Sequence, residues 1–153
     1  MEPLVLEFDV AAPIDHAFDV WVARTSLWWP RTHTISGADD LVVVFEPFAG
    51  GRVYERSSDG TEHDWGEIFV WQPPRRIAYW WHLFFDRSEA TEVEVRFAPA
   101  GSGTKVRIEQ SGWERLGDQA GPRRDNTQRA WSSIIGRFQE SVEDIRPTSP
   151  PNS

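Results

Sequence analysis

Four histidines, His16, His33, His63 and His82, are the only imidazoles in the chain. None lies in an H-E-x-x-H spacing that would set two ligands on one helical face, so the pattern points to no metal site. Ser57, Ser58, Ser111, Ser132 and Ser133 sit in no strand-elbow motif beside a histidine, which argues against a hydrolase nucleophile. Gly50-Gly51 and Gly101-Ser102-Gly103 read as hairpin turns, because neither opens a helix after a strand as a phosphate loop must. No cofactor is therefore expected. The remaining route to catalysis is a cyclase or isomerase built on a buried carboxylate, Glu67 or Glu55, beside Tyr79, with its pKa raised by apolar surroundings. The commoner fate of such strand carboxylates is solvation.

The aromatic residues carry a stronger signal. The chain holds nine tryptophans, three of them in GEIFVWQPPRRIAYWWHL at 66–83, around a double proline. Rings in this density either fill a packed core or line a cavity whose apolar walls carry a few orienting polar groups. On the strand at 76–84, Ile77, Tyr79 and Trp81 share one face, and Ala78, Trp80 and His82 share the other. An outer patch of Trp80, Trp71 and Trp65 would suit a homodimer or partner interface, whereas a β-bulge between Trp65 and Trp71 would turn those rings inward.

These side chains must be positioned by regular elements, and the periodicities supply them. LVLEFDV alternates, with Leu4, Leu6, Phe8 and Val10 on one side, as a half-buried strand does. Pro13 and Asp15 suit the first turn of a helix carrying Ile14, Phe18, Trp21 and Val22. A short second helix or turn follows at Leu27, Trp28 and Trp29. Six strands come next, LVVVFE, RVYERS, HDWGEIFVW, RIAYWWHLF, TEVEVRFA and TKVRIEQ, with separators too short for parallel crossovers. From about 125 to 144, Trp131, Ile134, Ile135, Phe138 and Val142 recur near the helical period of 3.6. Pro147 ends that helix, and the tail at 147–153, rich in proline and serine, is expected to be disordered. The chain thus predicts one α+β domain at 1–146.

Composition narrows the function classes. Sixteen Lys and Arg against 24 Asp and Glu give a formal charge of −8, which repels a nucleic-acid backbone. The absence of cysteine removes disulfides and thiolate chemistry and suits a reducing compartment. The start MEPLVLEFDV shows no basic region before an apolar stretch, and no apolar run nears the roughly 20 residues of a membrane span. A cytoplasmic protein without membrane insertion is expected.

The spaced elements AAPIDHAFDVWV, Trp28-Trp29, FEPFAGGR, GEIFVWQPPRRIAYWW and EATEVEVRFAPAGSGTKVRIEQSGW resemble the bacterial relatives of the heat-shock protein 90 ATPase activator. That family belongs to the START-like (SRPBCC, Bet v 1-like) superfamily. The resemblance runs in order from about residue 5 to 143 and implies a helix-grip fold, a curved antiparallel sheet wrapped around the long C-terminal helix with a cavity between them. It implies an inward set of Tyr79, Trp81, Val93, Val95, Phe97, Val106, Ile108 and Gln110, facing Trp131, Ile135 and Phe138. Trp28, Trp29, Phe84 and Phe85 are placed near the cavity mouth. The expected ligand-binding residues are Trp29, Tyr79, Trp81, Val95, Phe97, Ile108, Gln110, Trp131 and Ile135, and the expected ligand is a small hydrophobic or aromatic molecule. Two positions depart from the family pattern. Ala130-Trp131 stands where relatives have Gly-Trp, and Gln110-Ser111-Gly112 where they often have His-Ser-Gly, so a titrating imidazole is replaced by an amide. A protein-interaction role of the chaperone-activator kind is the alternative, weakened because the resemblance covers only a single START-like domain. Stress response and lipid handling are roles that the resemblance equally allows.

Overall fold

The computed structural model describes residues 1–145; the expected tail at 147–153 lies outside the described residues. Strand β1 (Leu4–Val10) leads through Pro13 into helix α1 (Ile14–Ala23), whose Ala17 N–H donates to the Pro13 carbonyl at 3.0 Å. The expected short second helix or turn is a pair of 3-10 turns, Thr25–Leu27 and Arg31–His33. Pro30 between them lacks an N–H and holds an extended backbone, so no continuous helix can form. Strands β2 (Val42–Phe45), β3 (Arg52–Arg56), β4 (Glu62–Gln72), β5 (Arg76–Trp81), β6 (Thr91–Ala100) and β7 (Gly103–Ser111) follow. With β1 they form a seven-stranded curled sheet in the order β1-β7-β6-β5-β4-β3-β2. Every pairing in this sheet is antiparallel, as the short connections require.

Two irregularities in β4 decide where the tryptophans point. Val53 pairs with Gly66 and Tyr54 with Asp64, leaving Trp65 as an extra residue. Ile68 pairs with Tyr79 and Val70 with Ala78, leaving Phe69 as another. Strict alternation would send Trp65 and Trp71 outward with Trp80. Each extra residue shifts the face by one position. Trp65 is therefore fully buried, and Trp71 turns in against Phe18 with ring centroids 5.5 Å apart. The outer patch of three tryptophans does not form; Phe69 replaces them beside Trp80, 5.2 Å from its ring. Gly66 is required here, since a Cβ would lie 1.9 Å from the Trp80 carbonyl oxygen.

Helix α2 (Ala120–Asp144) lies across the concave face and follows a 3-10 stretch, Trp113–Gln119, broken at Gly117. It starts five residues before the expected position. Pro122 falls in its first turn, where the missing N–H costs no helical hydrogen bond. Trp131, Ile134, Phe138 and Val142 form its buried stripe, while Ile135 is half-buried beside them. Opposite stand Ile77, Tyr79, Val93, Val95, Phe97, Val106, Ile108 and Gln110, each at most 2% exposed. His16 of α1 ties the layers together by contacting the Val142 carbonyl at 3.0 Å.

Candidate functional site

The space between sheet and helix has two unlike ends. At one, Trp21 packs against Phe138 at 4.9 Å, Trp28 at 5.0 Å and Phe97 at 6.2 Å between centroids. Trp28, expected at the cavity mouth, belongs to this core: it is 1% exposed and its indole N–H donates to the Val20 carbonyl at 2.8 Å. Tyr79, Val95, Phe97 and Ile108 are buried within the same continuous cluster and do not border the open space. Tyr79 touches Phe45 at 5.3 Å and Trp81 at 5.6 Å, and burial pushes its phenol well above the usual range.

At the other end lies a cavity of about 270 Å³, walled by Trp29, Trp81, Trp113, Trp131 and Ile134. Trp29, Trp81, Gln110 and Trp131 of the expected site meet here, and Ile134 borders it where Ile135 was expected. Trp29 is the hub of the aromatic wall, with Trp65, Trp81 and Trp131 at 5.4, 5.6 and 6.3 Å. Its indole N–H donates to the His33 carbonyl at 2.9 Å, which fixes the 3-10 turn against the wall. Trp131 marks the boundary between the two ends, since it also stacks on Trp21 at 6.0 Å.

Gln110 organises the polar part of this wall. Its side-chain oxygen accepts from Trp131 Nε1 at 2.8 Å, its nitrogen donates to Thr91 Oγ1 at 2.9 Å, and its carbonyl accepts from Trp113 Nε1 at 2.9 Å. An amide serves this position because it donates and accepts at once, so one buried side chain fixes an indole and a hydroxyl, while the backbone carbonyl behind it holds the second indole. Gly112, with φ of 88°, lets the chain turn directly after β7 and bring Trp113 back to the wall.

The rim is built by the loop after β5. His82 Nδ1 lies 3.1 Å from the Phe85 carbonyl and the Phe85 N–H donates back to the His82 carbonyl at 2.7 Å, so the ring donates through Nδ1. Phe84 takes a left-handed φ of 72°, a strained setting for a bulky residue, and Phe84 and Phe85 are exposed at the edge of the space. Arg123 closes the rim from α2. Its guanidinium carbon sits 3.2 Å from the Phe85 ring centroid, and Nη1 meets Glu89 at 3.1 Å. Burial lowers its pKa from the usual arginine range, while Glu89 acts in the opposite sense. His33 also borders the cavity, and burial lowers the pKa of its imidazole.

The carboxylates considered for catalysis lie elsewhere. Glu67 is on the outer face with Trp80 and contacts Arg87 at 3.4 Å. Glu55 is fully buried, but it does not border the cavity or pair with Tyr79. Burial raises its pKa, yet the N–H groups of Ile35 (2.5 Å), Ser36 (3.0 Å) and Trp65 (2.9 Å) together outweigh this and leave it below the ordinary value. It is a structural anion that pins the segment at 35–36 to the sheet. Among the described residues, no cluster of three or more His, Asp and Glu could hold a metal.

Trp113 and Arg123 were missed as wall residues because both lie outside the periodic strands and helix that the sequence made legible. Only the turn-forming Gly112 and the early Pro122 hinted that the chain doubles back there. Two further clefts are larger, about 380 and 500 Å³. The first is on the outer sheet face around Trp80 and Arg115. The second is a trough beside Pro73-Pro74, with Asp15 and Asp19 among its lining residues. Neither lies between the sheet and α2 with an indole wall.

Residues 11–143 match the family model described as Activator of Hsp90 ATPase homolog 1-like protein. No curated protein matches significantly. Among solved structures, the anthrahydroquino-γ-pyrone synthase Txn09 is 33% identical, with a TM-score of 0.61 over 92% of this chain and 96% of that one. The self-sacrificing resistance protein CalC from Micromonospora echinospora is 23% identical, with a TM-score of 0.73 over 97% and 98% of the two chains. The Aha1 dimer from Colwellia psychrerythraea shares the fold at 14% identity, with a TM-score of 0.66 over 94% and 97%. No helix among the described residues is long and apolar enough to cross a membrane. The family match over residues 11–143, on a helix-grip architecture, places this chain in the Activator of Hsp90 ATPase homolog 1-like family.

Proposed function

We propose that the cavity between β5–β7 and α2 binds a small aromatic molecule. The observation that carries this reading is an unfilled space of about 270 Å³ with four indoles in its wall, at the end of an otherwise densely packed interior. A dry cavity of about 150 Å³ accommodates one benzene ring, so this volume encloses about two rings. Apolar walls supply affinity in proportion to buried area, about 25 cal/mol per Å², while the Gln110 amide, which has a second N–H beyond the one given to Thr91, orients the ligand's polar edge. Txn09, whose name is that of a synthase of a fused aromatic product, supports an aromatic occupant here. Native mass spectrometry of the protein as purified from cells tests this. A retained small-molecule adduct absent from the Trp131→Ala variant supports it; apo protein that also takes up no added aromatic compound overturns it.

Catalysis on the bound molecule is a second reading, favoured by His33 and His82 at the cavity. Burial favours the neutral form of His33, which is the form able to accept a proton. Turnover lost in the His33→Asn, His82→Gln double variant would support this reading; turnover that survives would remove the two histidines from it, and none in the unchanged protein would remove it whole. Pairing of two copies is a separate proposal, supported by the outward Phe69–Trp80 contact and by the dimeric Colwellia neighbour. Sedimentation of the Trp80→Glu variant should then shift toward monomer relative to the unchanged protein.

A further inference from the structure

The cavity stands apart in charge from the rest of the molecule. The chain carries 24 Asp and Glu among 153 residues, and an even spread would put about two or three among the sixteen residues that border the cavity. None is there. Among the described residues, the one permanently charged group on the wall is Arg123, and the remaining polar groups are imidazoles, amides, hydroxyls and indole N–H groups. An acidic protein whose net charge is −8 thus keeps one carboxylate-free concavity with a single cation at its edge.

Arg123 is also held ready. Its side chain is 15% exposed, the Phe85 ring supports its flat face, and Glu89 engages only Nη1. Glu89 does not border the cavity, and its side chain is 42% exposed, so water competes for its charge. Among the described residues no acceptor takes Nε or Nη2, which leaves part of the guanidinium fork for a second acid. We infer that the ligand of this cavity is an aromatic acid, its rings against the indole wall and its anionic oxygen on Arg123. This deepens the proposal of an aromatic ligand and rests on it.

Two fluorescent probes with the same ring system separate the two claims: neutral N-phenyl-1-naphthylamine and its sulfonated counterpart, 8-anilinonaphthalene-1-sulfonate. The unchanged protein should bind the sulfonate at least about tenfold more tightly than the neutral amine at low salt, where a single partly buried charge pair is least screened. In Arg123→Gln the ratio of the two affinities should fall below about threefold, and near-ultraviolet circular dichroism of the indoles reports that the variant is folded. Arg123→Lys should keep part of the preference, and Arg107→Gln, on the outer sheet face, should keep all of it. If the neutral probe binds saturably but the sulfonate gains nothing, or if the preference survives Arg123→Gln, the acid inference is overturned and the aromatic site stands. If neither probe binds, both fall.

Discussion

Trp28 and Trp29 are neighbours in the chain with opposite fates. Trp28 closes the packed end, against Trp21 and Phe138. Trp29 faces the unfilled end, against Trp65, Trp81 and Trp131. Both indole N–H groups donate to backbone carbonyls, so hydrogen bonding does not separate them. What does is the number of layers meeting at each end. The packed end is filled from α1, α2 and the sheet together; the open end lacks α1 and is closed by 3-10 turns and the loop after β5. Aromatic density alone therefore does not distinguish core from site.

The largest expected effects fall at the packed end. Trp21→Ala should cost about 3–5 kcal/mol by denaturant unfolding, because the surrounding rings cannot close over the void. Trp81→Ala, on a wall that already borders empty space, should cost less than half as much. Equal costs would mean that the two ends are packed alike.

The next effect belongs to the junction. Gln110→Leu strands the N–H of Trp131 and takes a donor from Thr91, whose hydroxyl keeps only its 3.4 Å contact to the Trp81 carbonyl, and an unpaired buried group costs about 1–3 kcal/mol. Stability measured in urea, with near-ultraviolet circular dichroism to follow the indoles, should show both the loss and a looser Trp131.

Glu55 gives a loss of similar size with a pH signature. Its folded pKa lies below the unfolded value, so the folded chain holds fewer protons than the unfolded one between these values. The stabilisation is fully present above the unfolded carboxylate range of about 4.3 and is lost as pH falls through the lower folded value. Glu55→Gln should cost about 1–3 kcal/mol at pH 7 and reduce the steepness of acid destabilisation below about pH 4. Parallel acid-titration curves for the two proteins would refute this role.

Phe84→Gly should give the smallest change and the opposite sign. Relief of the left-handed φ should stabilise the chain by up to about 1 kcal/mol, while loss of the rim ring should weaken binding of N-phenyl-1-naphthylamine severalfold. Stabilisation without weakened binding would remove Phe84 from the site.

Much of this fold was legible because it rests on periodicity. The alternation of Val93, Val95 and Phe97 with Glu92, Glu94 and Arg96 is uninterrupted, and the resemblance supplied which of the two faces is the inner one. Strand β4 was harder, because Trp65 and Phe69 each add one residue and invert the alternation, and a bulge is set by pairing with neighbouring strands rather than by local composition. The site was legible where its residues lie on regular elements, as Trp81, Gln110 and Trp131 do. It was illegible at Trp113 and Arg123, which reach the wall through a turn at Gly112 and a helix start placed by Pro122. The amide at 110 could be read as non-titrating from its identity, but its bond to the Trp131 indole depends on β7 and α2 meeting.

The central claim, that one end of the interior is a binding cavity and the other a packed core, is tested most directly by one paired measurement. N-phenyl-1-naphthylamine titration and urea unfolding are run on the unchanged protein and on Trp81→Ala. Saturable one-to-one binding that weakens at least about tenfold in the variant, with a stability loss well under 3 kcal/mol or so, is the predicted result. No saturable binding in the unchanged protein, together with severe destabilisation of Trp81→Ala, would contradict it and make these rings core alone.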